Sequence, residues 1–119
     1  SGDFAFTFCM ARSLTLLAAH AAGVQAIDTL HADFRDEDGL RTSCRASRSE
    51  GFSGRLAIHP AQVPIINEAF TPSEEELAEA RAIVAAFADN PSAGALQIDR
   101  RMIDRPHLKL AQRLLGIAE

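Results

Sequence analysis

Hydrophobic and polar positions alternate between two periods along the chain, and each period predicts an element. Ala11 to Ala22 is dense in Ala and Leu and reads as a helix, with Gly23 suited to the position just past its end. Val24 to Leu30 is short, apolar and contains β-branched residues, so it reads as a strand. Asp36 can cap a helix over Glu37 to Ser49, where Leu40 and Cys44 lie one turn apart and the small Ser43 and Ser47 sit beside them. Gly51 stops that helix. Arg55 to Ile58 is the second strand, ending in His59-Pro60, and Pro64 to Phe70 is a short helical segment. Thr71-Pro72-Ser73-Glu74 reads as a helix start, with Thr71 as N-cap, Pro72 at N1 and Glu74 closing a capping box. That helix runs to about Ala88 and carries Leu77, Ala80, Ile83, Val84 and Phe87 on one stripe. Asn90 to Gly94 breaks it. Two apolar pieces follow, Ala95 to Ile98 and Met102 to Asp104, as a small hairpin or an extended arm. Pro106 opens a last helix with Leu108, Ala111 and Leu115 aligned.

Strands separated by helices predict an α/β fold with parallel pairing. Two parallel strands leave faces and edges that need cover. A complete (β/α)₈ TIM barrel takes about 250 residues. A 119-residue chain that belonged to one would hold only its last quarter, with two strands. The organisation expected is therefore 1–89 as a barrel segment and 90–119 as a C-terminal arm and helix.

Composition narrows the function classes. The formal net charge is −4, which gives no nucleic-acid footprint. There is no run of eighteen apolar residues, so no membrane span is expected. The apolar patch Phe4 to Met10 lacks the basic leader and small-residue cleavage site of a signal peptide. Cys9 and Cys44 fit no metal-binding spacing, and they read as reduced thiols of a cytoplasmic protein.

The working residues of parallel α/β folds sit at the C-terminal ends of strands. Asp28 ends the first strand and His59 the second, so both are expected on one rim. Pro60 fixes the backbone as it leaves the strand, and Gln62 has an amide for a ligand or a neighbouring loop. The residues alone leave plainer readings open. His59 before Pro60 can be a loop-packing residue, Asp28 can cap its loop, and Asp104 can simply cap the last helix. Asp33 and Asp36 read as turn and cap residues, Glu74 to Glu76 as a solvated first turn, and Arg100-Arg101 as a solvated turn.

Three long stretches go further: "AGVQAIDTLHADFRDEDGL", "GFSGRLAIHPAQVPIINEAFTPSEEELAEAR" and "ALQIDRRMIDRPHLKLAQRLL". In that order they closely resemble the C-terminal third of the HpcH/HpaI aldolase/citrate lyase family, on its citrate lyase beta-subunit-like branch. The resemblance covers roughly Ala11 to Leu115. It implies a (β/α)₈ barrel and Mg²⁺-dependent cleavage or formation of a carbon–carbon bond beside a coenzyme A thioester. It makes the Ala-Ile-Asp strand barrel strand seven, with Asp28 at its active end. His59, Pro60 and Gln62 then close strand eight beside the CoA or substrate entrance. It assigns Asp104, on the arm, to proton transfer at the acetyl carbon in a neighbouring subunit's site.

The family's metal-binding Glu and substrate-binding Arg belong to strands absent here, and Asp3 is a faint counterpart of its metal-binding Asp. Where the family often has Asp-Gly in the turn of the arm, this chain has Arg100. The resemblance thus implies cleavage of a citryl-, malyl- or citramalyl-type 3-hydroxyacyl-CoA to acetyl-CoA and a 2-oxo acid, in a homo-oligomer, expected to be a trimer. A second reading is a non-catalytic fragment, or a CoA-ligand or oligomerisation module, that lacks the metal site.

Overall fold

The computed structural model describes residues 5–117. It contains α1 (Phe6–Ala22), β1 (Ile27–Asp28), α2 (Glu37–Glu50), β2 (Gly54–Arg55), α3 (Gln62–Phe70), α4 (Glu74–Asp89), β3 (Ala95–Ile98), β4 (Arg101–Asp104) and α5 (Arg105–Leu114). Two compact units emerge, Ser1–Thr71 and Pro72–Glu119. The division falls ahead of α4 rather than at residue 90. The reason is that α4 supplies Ala80, Ile83 and Phe87 to the same core as Ile103, Leu108 and Ala111.

In the first unit β1 and β2 pair in parallel, Ile27 with Gly54 and Asp28 with Arg55. Backbone bonds from Ser53 N to the Ala26 carbonyl (2.8 Å) and from Leu56 N to the Asp28 carbonyl (3.1 Å) extend the ladder by one step each way. The strands are shorter than the apolar runs predict. Val24, Leu30, Leu56 and Ile58 lie beyond the pairing and are exposed. Gly51 closes α2 with a left-handed φ of 115°, its N–H reaching the Ser47 and Arg48 carbonyls, as a C′ glycine does. The core is small: Leu40 and Cys44 from α2 meet Ile65 and Ile66 from α3, with Ala69 and Phe70 against them.

Helix α1 begins at Phe6, five residues before the start that Ala and Leu density suggests. No helix breaker separates Phe6 from Ala11, so the apolar patch joins the helix. Phe6, Met10, Leu14 and Leu17 then fall at helical spacing and all are exposed. Helix α3 starts at Gln62, two residues early. Pro64 is tolerated because a first-turn residue needs no N–H.

The second unit is a helix, a hairpin and a helix. The capping box of α4 is Ser73 with Glu76, not Thr71 with Glu74. The Ser73 hydroxyl accepts the Glu76 N–H (3.1 Å), and the Glu76 carboxylate accepts the Ser73 N–H (2.7 Å). Thr71 instead ends α3, where its hydroxyl donates to the Asn67 carbonyl. Strands β3 and β4 are antiparallel, joining Ile98 to Arg101 across a two-residue turn. Asp99 and Arg100 both take positive φ, 46° and 67°, which is the type I′ geometry such tight hairpins prefer. The Arg105 guanidinium stacks 5.0 Å from the Phe87 ring and donates to the Pro91 and Ala93 carbonyls, which pins the 90–94 break. No helix among the described residues is long and apolar enough to cross a membrane.

Candidate active site

Asp28 stands at the C-terminal end of β1, where the strand pattern puts it, but its side chain faces the protein interior and is 2% exposed. One carboxylate oxygen accepts Arg12 Nε (2.9 Å) and the Thr29 N–H (2.7 Å). The other accepts Arg12 Nη2 (2.5 Å), the Ser47 hydroxyl (2.5 Å) and Arg55 Nη2 (3.2 Å). Burial pushes the carboxyl upward. Arg12, Ser47, the Thr29 amide and the charge of Arg55 outweigh that and hold it at about 2. Arg12 also reaches Glu50 and lies over Phe52, and Arg55 also donates to the Thr29 and Ser43 carbonyls. One carboxylate thus ties α1, β1, α2 and β2 together, and a ligand would have to displace an arginine to reach it. Burial pushes the neighbouring Cys44 thiol up, with Arg55 opposing.

The rim itself is built by the loops that leave the two strands. Gln62 is 1% exposed and clamps them. Its Oε1 accepts the Ile58 N–H (2.9 Å) and its Nε2 donates to the His31 carbonyl (2.9 Å). Both ends of the amide are spent on the protein, so Gln62 fixes the rim rather than offering itself to a ligand. His59 is exposed and stacks on Phe34, with ring centroids 4.5 Å apart and planes at 12°. Its Nδ1 accepts the Ala61 N–H (3.1 Å). Pro60 is exposed beside it. On the other loop His31 Nε2 lies 3.3 Å from Asp36, whose carboxylate also caps α2 through the Gly39 N–H.

In the second unit Asp104 is the N-cap of α5. Its Oδ1 accepts the His107 N–H (3.2 Å) and lies 2.6 Å from His107 Nδ1. A contact that short to a carboxylate places the ring proton on Nδ1. That nitrogen then cannot also accept the Asp104 N–H at 3.3 Å. The His107 backbone N–H, then its ring, hold the carboxyl below the usual range. The side chain is about half exposed, at 49%. Along α5, Arg105, Lys109 and Arg113 line a groove of about 390 Å³ with Pro106 and Leu110.

The fold therefore sets His59 and Pro60 in the loop between β2 and α3, beyond the strand end at Arg55 where the sequence expected His59, with Gln62 opening α3; Asp104 sits on the arm. Asp3 lies outside the described residues. Sequence reading missed Phe34, Arg12, Ser47 and His107. Arg12 had a signal: it is the lone cation in an Ala/Leu-rich helix. Phe34 had none, because its partner lies 25 residues on. Among the described residues no group of three His, Cys, Asp or Glu could hold a metal ion.

The chain is similar to known proteins over most of its length. Citramalyl-CoA lyase of rat mitochondria is 41% identical over 110 residues, 91% of this chain and 32% of that protein. The (3S)-malyl-CoA thioesterase of Cereibacter sphaeroides is 41% identical over 108 residues, 89% of this chain and 38% of that protein. The chain thus spans about a third of the length of the relatives it matches. The crystal structure of Mycobacterium tuberculosis CitE with magnesium, acetoacetate and coenzyme A superimposes with a TM-score of 0.81 at 37% identity, over 98% of this chain and 43% of that one. A family model for C–C bond lyases of the TIM-barrel fold matches residues 10–119, and the chain belongs to that family.

Proposed function

We propose that this chain forms the last two strands and the C-terminal arm of a TIM-barrel lyase that splits a 3-hydroxyacyl-CoA thioester into acetyl-CoA and a 2-oxo acid. The observation that carries the reading is the half-exposed carboxylate of Asp104, held at the head of α5 on the hairpin-helix arm; the exposed, clamped rim at His59 in the first unit supports it separately. The relatives' names, citramalyl-CoA lyase and malyl-CoA thioesterase, support a CoA thioester of a short hydroxy acid. Cytoplasmic placement, from the reduced thiols, belongs to the same reading.

On this reading the rim binds the thioester and Asp104 handles the proton. In the condensing direction the ionised carboxylate removes a proton from the methyl carbon of acetyl-CoA. In the cleaving direction the 3-hydroxyl gives up its proton as it becomes the carbonyl of the 2-oxo acid, the carbon–carbon bond breaks, and one proton passes through Asp104 to the carbon of the departing enolate. An aspartate carboxyl is already ionised at neutral pH, and the His107 contacts only lower its pKa further. His107 fixes the carboxylate through two contacts. Magnesium accompanies the ligands in the solved relatives, but the described residues offer no set to hold it. Asp28, at the end of β1, is saturated by Arg12, Arg55, the Ser47 hydroxyl and the Thr29 amide.

The arm serves a neighbouring subunit of a homotrimer, so one active site combines one subunit's rim with another's arm. The test is Asp104→Asn in the full-length protein, assayed with citramalyl-, malyl- and citryl-CoA. Asn caps helices about as well as Asp, so folding survives. Turnover should fall about 10²–10⁴-fold while thioester binding changes little. Mixing this variant with His59→Ala should restore part of the activity. Wild-type turnover in Asp104→Asn removes it from the mechanism, and failed complementation places rim and arm in one subunit.

A further inference from the structure

The Phe34–His59 pair is the least explained feature of the rim. It is not core packing: the core of this unit is Leu40, Cys44, Ile65 and Ile66, and Phe34 remains 42% exposed. The hairpin-like clamp at Gln62 already fixes the loop backbones on both sides. What the stack adds is the orientation of one imidazole. The Ala61 N–H occupies Nδ1 as an acceptor, so in the neutral ring the proton sits on Nε2. Phe34 lies nearly parallel to that ring at 4.5 Å and blocks its rotation. The other charged groups of the loop have partners within it. His31 pairs with Asp36, the Asp33 carboxylate accepts the Arg35 N–H, and the Arg35 guanidinium sits 5.6 Å over the Phe34 ring. The result is an oriented N–H donor in the loop that leaves β2, on the side of the sheet where parallel α/β folds bind ligands.

We infer that Phe34 is a positioning residue, which holds His59 so that Nε2–H donates a hydrogen bond to an acceptor oxygen of the bound CoA thioester. The inference rests on the proposed function for the identity of the ligand, but the positioning itself does not. Three kinds of acceptor oxygen in such a ligand have the right chemistry: a phosphate oxygen of the CoA, the thioester carbonyl, and an amide carbonyl of the pantetheine arm. Free CoA carries the first and third, S-acetylpantetheine the second and third.

The experiment has two readouts on the full-length protein. Ring ¹⁵N shifts report the His59 tautomer, and calorimetric titration with CoA and with S-acetylpantetheine reports binding. The wild type should show the Nε2–H tautomer. Phe34→Leu should show a mixture of tautomers and bind at least one of the two probes about 3- to 10-fold more weakly, the range a lost aromatic pair implies. Phe34→Tyr keeps the stacked ring and should restore both. His59→Asn should weaken binding at least as much, and adding Phe34→Leu to it should cost nothing further, because Phe34 acts only through His59. A loss with CoA alone identifies a phosphate oxygen, a loss with S-acetylpantetheine alone the thioester carbonyl, and a loss with both a pantetheine amide.

Wild-type binding and tautomer in Phe34→Leu overturn the inference, as does a further loss in the double variant. If no variant or wild type binds either probe, the ligand is wrong and the proposed function falls with it. The tautomer readout still decides whether Phe34 positions His59. If the binding pattern holds but no 3-hydroxyacyl-CoA is turned over, the rim stands and the lyase reading fails.

Discussion

Removing the charge of Asp28 while keeping its shape should destabilise the protein more than any single change at the rim. Asp28→Asn replaces a carboxylate that sits between two guanidiniums, at 2.5 Å from Arg12 and 3.2 Å from Arg55. The drop of the carboxyl from the ordinary 3.8 to about 2 corresponds to about 2 kcal/mol of stability at pH 7. The substitution also turns an amide N–H toward donors and leaves Arg55, 7% exposed, without its counter-charge. Unpairing a buried ion raises the total to about 3–5 kcal/mol. Urea unfolding followed by circular dichroism at pH 7 measures it.

A pH series then isolates the charge. Because the folded-state pKa is depressed, this stabilisation is complete above about pH 5. It is lost as pH falls through 4 toward 2. The wild type should lose about 2 kcal/mol over that window that Asp28→Asn does not lose. A cost below about 1 kcal/mol at pH 7, or parallel acid profiles for the two proteins, would refute the claim that Asp28 anchors the first unit.

Three further outcomes follow from local geometry. Arg100→Gly should stabilise the protein by about 1 kcal/mol in the same unfolding assay, because Arg100 holds a left-handed φ of 67° that costs a side-chain-bearing residue. Ser73→Ala should cost about 1 kcal/mol, since it removes the real cap of α4. Thr71→Val, at the position the sequence favours, should cost less. In native buffer a thiol reagent should modify half-buried Cys9 well before Cys44, which is fully buried with its thiol pKa pushed up. Equal rates would place Cys44 outside the core.

Much of this protein is written in short-range sequence. Gly23 and Gly51 end their helices, Asp36 and Asp104 begin theirs, and the Asn90–Gly94 break precedes a hairpin, because caps and turns are decided by a few adjacent residues. Alternation of strand and helix was enough to give parallel pairing of β1 with β2. The candidate rim was legible as far as His59, Pro60 and Gln62, since position at a strand end is a local property. What each side chain does there was not. The fate of the Asp28 carboxylate depends on Arg12, 16 residues before it, and Arg55, 27 after it. The Gln62 amide reaches back 31 residues to the His31 carbonyl. Apolar runs overstate the strands because hydrophobicity marks what wants burial, while the ladder extends only as far as a neighbouring backbone is present to pair. Arg100 takes its strained conformation because the two-residue register of β3 with β4 imposes it. Sequence determined the elements and their order. The tertiary structure decided which polar groups satisfy one another, because hydrogen bonds and ion pairs between distant residues exist only once the chain has folded.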